Sequence, residues 1–368
     1  ELPAGTDPHA DVVYATAARN FARLREAAPL VIEDAPALYL YRLRMGGHVQ
    51  AGIAATFSVD EYERDVIAKH EKTRKDKEDD RTRHILELRA QTGPVFLTYP
   101  ANETITTLVA GATDGPQART PLFDFTAPDG VAHTLWPATA GESARIIEAF
   151  RGIPRLYIAD GHHRAASAMR ARHAIAEAGT GDASEGQAGD GEIESAWFLA
   201  VAFPHDQMQI LPYHRVVRDL AGRRPAQLLD GIRAGGVTVD PGTDTPAGPG
   251  QVAMYLDGTW HRLVLAPAAP GASVSDRLDV SLLHDQVLAP LLGIGDPRTD
   301  RRIDFVGGIR GPQALAAAVD SGAAAVAFAM APTRIEDLMA IADAGEIMPP
   351  KSTWFEPKLR DGLLAHLI

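Results

Sequence analysis

The chain has 368 residues, 45% of them hydrophobic and none of them cysteine, and it carries a formal net charge of -12 at pH 7. Its length suits about two domains or one elaborated domain, and the lack of cysteine excludes disulfides, thiolate metal sites and a cysteine nucleophile. The acidic balance argues against nucleic acid as a partner, which requires a lysine- and arginine-rich surface, but a local basic pocket can still concentrate a small anion.

Residues 8–28 place Val12, Val13, Ala17, Phe21 and Leu24 on one face at helical spacing. Ala37 to Arg44 and Val49 to Phe57 read as two strands joined through Met45-Gly46-Gly47-His48, a glycine-containing hairpin connection. Ser58 is placed to cap a helix around Asp60 to Ile67. Residues 72–91 then read as a long charged helix ending near Gly93-Pro94, followed by a strand from Val95 to Tyr99.

Lys69-His70-Glu71-Lys72-Thr73 stands at the start of that charged helix, and at helical spacing residues 70, 73, 74, 77, 81 and 84 form one stripe of His, Thr, Arg, Lys, Arg and His. Lys77 and Arg81 repel at i,i+4 unless an acid such as Asp80, or a bound anion, lies between them. Glu71 with Lys75, and Asp79 with Arg83, are spaced for ordinary salt bridges, and a charge run of this kind is most often a solvated face. Residues 103–139 read as short strands with turns at Asp114-Gly115-Pro116 and Asp129-Gly130, and Glu142 to Phe150 as a helix.

Next comes the most informative stretch. Leu156 to Ala159 is a short apolar run fitting a buried strand, Ala165 to Ala176 has helix composition, and Asp160-Gly161-His162-His163-Arg164 joins them. A helix start exposes unpaired N–H groups and the positive end of a dipole, so it favours an anion. Asp160 sits where an N-cap or metal-facing carboxylate would sit, and Gly161 permits close backbone approach. Successive helical residues point about 100° apart, so His162 and His163 cannot both face one ligand from within the regular helix. Read alone, the turn also fits an Asp-capped helix with both histidines bonded to nearby carbonyls.

Gly179 to Gly191, rich in glycine and acids, reads as a flexible surface insertion before the apolar strand Trp197 to Phe203. Beyond residue 204, proline- and glycine-rich loops at 240–250 and 266–271 separate short elements. A hairpin of Gln251–Leu256 and Thr259–Ala266 turns at Asp257-Gly258, and a helix spans Val280 to Leu291. The tail reads as a helix at 312–320, a strand at 323–329, a helix at 333–343 and a final segment at 349–358.

Three further polar groups stand out here. His214-Arg215 suits a substrate contact or an internal pair, Arg302 lies in a dense charged patch suited to a carboxylate or to internal pairing, and Lys351-Ser352-Thr353 sets a cation and two hydroxyls beside rigid prolines. No apolar run approaches the roughly 18 residues of a membrane span and no charged-then-apolar leader is recognisable. A cytoplasmic protein without a membrane partner is expected.

The strand, the Asp160–Arg164 turn and the helix resemble the ligand loop of the ParB/sulfiredoxin-like superfamily, where the loop binds a nucleotide or phosphate. Within it the whole chain resembles the domain-of-unknown-function 1015 family through residues 68–73, 211–215, 302–308 and 348–358. The resemblance implies a mixed α/β (α+β) fold with a ParB/sulfiredoxin-like core. It divides the chain into a phosphate-binding region over 1–204, lacking part of the family's usual N-terminal segment, and an α/β region over 205–368 folding back on the site. Related proteins phosphorylate free L-serine with ADP or pyrophosphate. Sulfiredoxin chemistry itself is removed by the missing cysteines.

The resulting expectation is a phosphotransferase that passes a phosphoryl group from ADP or pyrophosphate to L-serine or a similar small amino acid, with Mg2+ as cofactor. Such a reaction needs charge neutralisation and an acceptor for the hydroxyl proton. Asp160 would hold Mg2+, and Asp160, Glu71 and His163 form the expected catalytic set, Glu71 as the base. Gly161, His162, Arg164, His70, Thr73, Arg81, Lys351, Ser352 and Thr353 would bind phosphate or cofactor, and His214, Arg215 and Arg302 substrate. The competing readings are a non-catalytic sensor of nucleotides or phosphometabolites, which needs no base, and a metal-dependent phosphohydrolase, for which the repeated carboxylate and histidine sets of a two-metal centre are missing from the pattern.

Overall fold

The computed structural model describes residues 2–27, 30–114, 118–179 and 194–368. It is a mixed α/β protein whose chain divides into two compact units, Glu1–Met208 with Pro357–Ile368, and Gln209–Glu356. Among the described residues no helix is long and apolar enough to cross a membrane.

The first unit is built on an eight-stranded sheet in the order Ile67–Ala68, Leu156–Asp160, Val95–Tyr99, Trp197–Pro204, His48–Ser58, Tyr39–Met45, Ala132–Pro137, Phe123–Thr126. The central strands are apolar on both faces and are buried, as strands covered by helices must be. Leu40, Ile53, Leu97, Ile105, Ile146 and Phe198 lie in one core cluster. The hairpin joining Tyr39–Met45 to His48–Ser58 turns at Gly46, whose φ of +57° suits glycine. Ser58 caps the following helix, accepting from the Glu61 N–H at 3.3 Å, but that helix ends at Glu63 and Ile67 has already entered a strand.

Three expectations fail here. Glu103–Thr113 is a helix, not a strand. Asn102 caps it by accepting from the Ile105 N–H at 3.2 Å, and Ile105, Val109 and Ala112 bury one face. Burial of that face overrides the β-branched run of threonine, isoleucine and valine. The charged helix runs Lys75–Leu88, starting later than its pattern suggests, and residues 70 and 73 lie outside it. The expected Asp79–Arg83 pair is also replaced, since Asp79 meets Lys75 and Arg170 while Arg83 meets Asp11.

The helix expected at Glu142 begins at Ala140, after a capping box between Thr139 and Glu142. Of the predicted insertion at 179–191, everything past Gly179 lies outside the described residues, as do Gly115 and Pro116 of one predicted turn. The C-terminal tail joins this unit: His366–Leu367 pairs with Ala90–Gln91, and the Gly362 N–H donates to the Thr92 carbonyl at 2.9 Å.

The second unit holds a six-stranded sheet in the order Thr238–Pro241, Thr259–Val264, Gln251–Leu256, Val326–Met330, Tyr213–Val217, Ile303–Gly307. Leu315, on the helix Gln313–Asp320, packs with Val216 and Ala327 on one face of it. The expected helix near 280–291 is present as a helical run from Asp279 to Leu292 that widens to π turns at His284–Leu288. Ile210–Leu211 pairs with Trp354–Phe355 in a separate two-stranded ribbon.

Candidate functional site

The site of the first unit follows from one strand pairing. Ile67–Ala68 runs parallel to Leu156–Asp160, with Ile67 opposite Leu156 and Ala68 opposite Tyr157. Parallel neighbours release their chains at the same end, so Lys69–Arg74 and Gly161–Arg164 emerge side by side at the carboxyl ends of the two strands, where ligands of open α/β sheets bind. Two sequence blocks far apart in the chain thereby become one site.

Gly161 has φ of +97°, a conformation that side chains rarely adopt, and a Cβ there would meet only ordinary contacts. Glycine is therefore required by the backbone turn, not by space. The helix His162–Gly179 starts immediately after it. Asp160 accepts from Lys358 Nζ at 2.8 Å, both side chains being about half exposed. Burial of the carboxyl would raise its pKa, but Lys358, Arg164 and the Gly161 N–H outweigh that and hold it below the ordinary value.

His162 is turned inward. Its Nε2 accepts from the His70 N–H at 3.5 Å, so Nδ1 carries the proton, and Nδ1 lies 3.7 Å from Glu71 Oε2. Burial, with His70, His163 and Lys69 nearby, lowers its pKa well below the usual range, so the ring is neutral at physiological pH. The ring of His70 stands edge-on to it at 4.5 Å between centroids. His70 is fully buried, neither of its ring nitrogens meets a partner among the described residues, and burial pushes its pKa down to about 4 against a smaller opposing pull from Asp160.

His163 points the other way. Its Nε2 accepts from the Arg74 N–H at 3.0 Å, at the start of the charged helix, which has no side-chain cap of its own. Burial first, then Arg81 and Arg74, lowers its pKa. The two histidines thus hold the 70–74 segment against the turn through backbone amides, not through the carbonyls that the sequence suggested.

His162 is 4% exposed, with Nε2 taken by the His70 N–H and Nδ1 turned toward Glu71. Arg164 is also partly occupied, donating to the Pro94 carbonyl at 2.9 Å and lying 3.8 Å from Asp361. Arg81 is exposed, and among the described residues it makes no ion pair, which leaves a cation beside His163. Thr73 is partly exposed on the connecting segment.

The other predicted residues fall in the second unit. Arg302 is paired with Asp300 at 2.8 Å and donates to the Leu292 and Gly293 carbonyls at the end of a helix. His214 accepts from the Met330 N–H at 3.1 Å, and burial lowers its pKa to about 4. Arg215 donates to the Lys351 carbonyl at 3.1 Å, and Ser352 donates to the Pro349 carbonyl at 2.7 Å. Thr353 is partly exposed beside them in sequence.

Lys358 and Arg74 are the residues that motif reading passed over. Lys358 closed a recognised block but looked solvated, and the backbone amide of Arg74 carries no sequence signal. Mg2+ usually takes one or two protein carboxylates and completes its octahedron with phosphate and water. Asp160 offers one such carboxylate. Among the described residues no group of three or more His, Cys, Asp or Glu side chains forms a self-sufficient metal set.

A family model described as "Protein of unknown function (DUF1015)" matches residues 1–281. No curated protein matches the chain by sequence. Among solved structures, a free serine kinase in complex with AMP is 12% identical with a TM-score of 0.38, over 82% of this chain and 86% of that one. A conserved hypothetical protein from Pyrococcus furiosus is 13% identical with a TM-score of 0.36, over 84% and 93%. SbnI with a C-terminal truncation, from Staphylococcus aureus, is 12% identical with a TM-score of 0.42, over 85% and 87%.

Proposed function

The chain belongs to the DUF1015 family, and from that premise we propose that it is a phosphotransferase acting on a small hydroxyl amino acid, with free L-serine as acceptor and ADP or pyrophosphate as donor. The observation that carries the reading is two carboxylates beside the turn, Asp160 just before Gly161 and Glu71 3.7 Å from the ring of His162. One is held by a lysine and the other faces a neutral histidine. Two carboxylates in different surroundings can divide the roles of metal ligand and base.

In the proposed reaction the serine hydroxyl oxygen bonds to the terminal phosphorus of the donor. The bond from that phosphorus to the bridging oxygen breaks, releasing AMP from ADP or phosphate from pyrophosphate, and the hydroxyl proton passes to Glu71. His162 is buried and faces Glu71, its Nδ1 lying 3.7 Å from the carboxylate. The donor phosphates lie against the first-turn amides of the helix at His162 and His163, with Arg81 adding charge. Asp160 would hold Mg2+, which when bound neutralises phosphate charge, and Lys358 would then shift from the carboxylate toward the phosphate.

The test is formation of O-phosphoserine from L-serine and Mg2+ with ATP, ADP or pyrophosphate in parallel. Product with ADP or pyrophosphate is expected. Tight nucleotide binding with no product from any donor would replace the reading with a sensor, and phosphate release without an acceptor would replace it with a hydrolase.

A further inference from the structure

In the first unit the helix Glu103–Thr113 leaves a pocket of about 290 Å³ between itself and the sheet. Thr106, Val109, Ala110 and Thr113 fall on one helical stripe and form one wall. Arg42, Ala51, Tyr99 and Pro204, from four adjacent strands, form the other. Arg42 stands directly opposite Ala51, and Tyr99 opposite Pro204. Phe96 is opposite Asp160, so Tyr99, at the far end of the same strand, lies about 10 Å along it from the Gly161 turn. The pocket and the turn are separate places on one sheet.

The inner end of the pocket is polar. Tyr99 is 1% exposed, and among the described residues its hydroxyl has no hydrogen-bond partner. A buried tyrosine hydroxyl ordinarily has one. Gln207 also lines the pocket and is fixed there, its side-chain oxygen accepting from the Ala51 N–H at 2.9 Å. Among the described residues its NH2 group donates to nothing. A phenol hydroxyl and an amide NH2 without partners suit a ligand atom that carries lone pairs.

The outer end is an ion pair. Arg42 donates through Nη1 alone, to Asp114 Oδ1 at 2.9 Å and to the Thr113 carbonyl at 3.3 Å. Its guanidinium carbon lies 4.7 Å from the centroid of the Trp136 ring, a cation–π contact that holds the group in place. Nε and Nη2 make no bond among the described residues, so a two-donor edge remains open, the geometry that receives a carboxylate. Asp114 is exposed and keeps one carboxylate oxygen for a cation. An exposed pair contributes little to stability, so a ligand that parts it meets little resistance.

A carboxylate for Arg42 and an ammonium for Asp114, joined by a single carbon, make up the zwitterion of a free α-amino acid. Ala51, Val109 and Ala110 then cover the carbon atoms of its side chain, and the tip reaches Tyr99 and Gln207. We infer that this pocket binds a free α-amino acid with a short neutral side chain ending in a hydroxyl or amide. The site does not depend on the transfer proposed at the turn.

The experiment is calorimetry of the full chain with L-threonine and with L-valine, which has the same shape but a methyl group in place of the hydroxyl. L-Threonine should bind several-fold more tightly, and the difference should vanish in Tyr99→Phe, which keeps the ring. No binding of either amino acid, or equal binding of both to the wild type, overturns the inference. Isobutyrate and isobutylamine each carry one of the two charges and should bind far more weakly than L-threonine; equal binding of either one overturns the zwitterion. Arg42→Gln, checked for fold by circular dichroism, should lose L-threonine binding, and retention there overturns the site. Binding should persist in Glu71→Gln, whose change is at the turn, and loss there overturns the inference by placing the amino acid with the acceptor. Should Arg42→Gln fail to fold, Tyr99→Phe decides, since an undiminished preference for L-threonine in that variant also overturns the site.

Discussion

Glu71 and His162 face one another across 3.7 Å, carboxylate Oε2 to ring Nδ1, though they come from separate sequence blocks. The histidine accepts from the His70 amide on its other edge, at 3.5 Å. Glu71 is itself exposed.

Glu71→Gln keeps the shape and removes the proton acceptor. Phosphoserine formation should fall about 100- to 10,000-fold, with an unchanged circular dichroism spectrum and unchanged donor binding by calorimetry. Full activity in this variant would remove Glu71 from the base role.

Asp160→Asn should abolish transfer while leaving the fold intact, because the Lys358 pair is half exposed and such pairs contribute little to stability. Its pH dependence is the sharper readout. The folded carboxyl lies below the ordinary aspartate value of about 3.9, so the wild type holds a stability advantage over the variant above that pH and loses it as pH falls through the folded value. Urea unfolding of both proteins from neutral to acidic pH should show the difference shrinking. A constant difference would mean that Lys358 does not pair with Asp160 in solution.

His70 titrates at about 4 in the folded protein because burial disfavours its charged form, against about 6.5 when unfolded. Below the unfolded value the unfolded chain binds the proton first, so stability is fully present above about 6.5 and declines as pH falls toward the folded value, by up to about 3 kcal/mol. His70→Phe should flatten that part of the stability profile in urea unfolding. An unchanged slope would place a protonated His70 in the folded state.

Gly307→Ala would put a methyl group into the space of the Trp354 indole. Overpacking of this kind costs about 1–3 kcal/mol, so the melting temperature should drop and the fluorescence contribution of Trp354 should shift. Gly307→Ala combined with Trp354→Phe should recover part of the loss. If the single substitution has no effect, Trp354 does not lie over this strand.

Much of the first unit was legible in order. The hairpin at Gly46, the Ser58 cap, the strand ending at Asp160 and the helix after Gly161 each carry local chemistry that states their structure. Glu103–Thr113 was not legible, because its β-branched residues favour strand locally and only burial of Ile105, Val109 and Ala112 makes it a helix. The charged helix was read too long for a related reason: charge spacing continues through Glu71, but the chain there is held by His162 and His163.

What the sequence determined by itself is the inventory: the family, an acidic cysteine-free chain, a glycine-dependent turn at Gly161, and blocks of polar residues too dense to be ordinary surface. What only the tertiary structure decided is their grouping and their direction. Parallel pairing of Ile67–Ala68 with Leu156–Asp160 brings Glu71 to His162, and antiparallel pairing of Tyr213–Val217 with Ile303–Gly307 sets Arg215 over Phe305. Adjacent histidines then part company, one buried against Glu71 and the other capping Arg74. Local propensity sees only a few residues at a time, whereas strand neighbours and burial depend on chain segments that meet after folding.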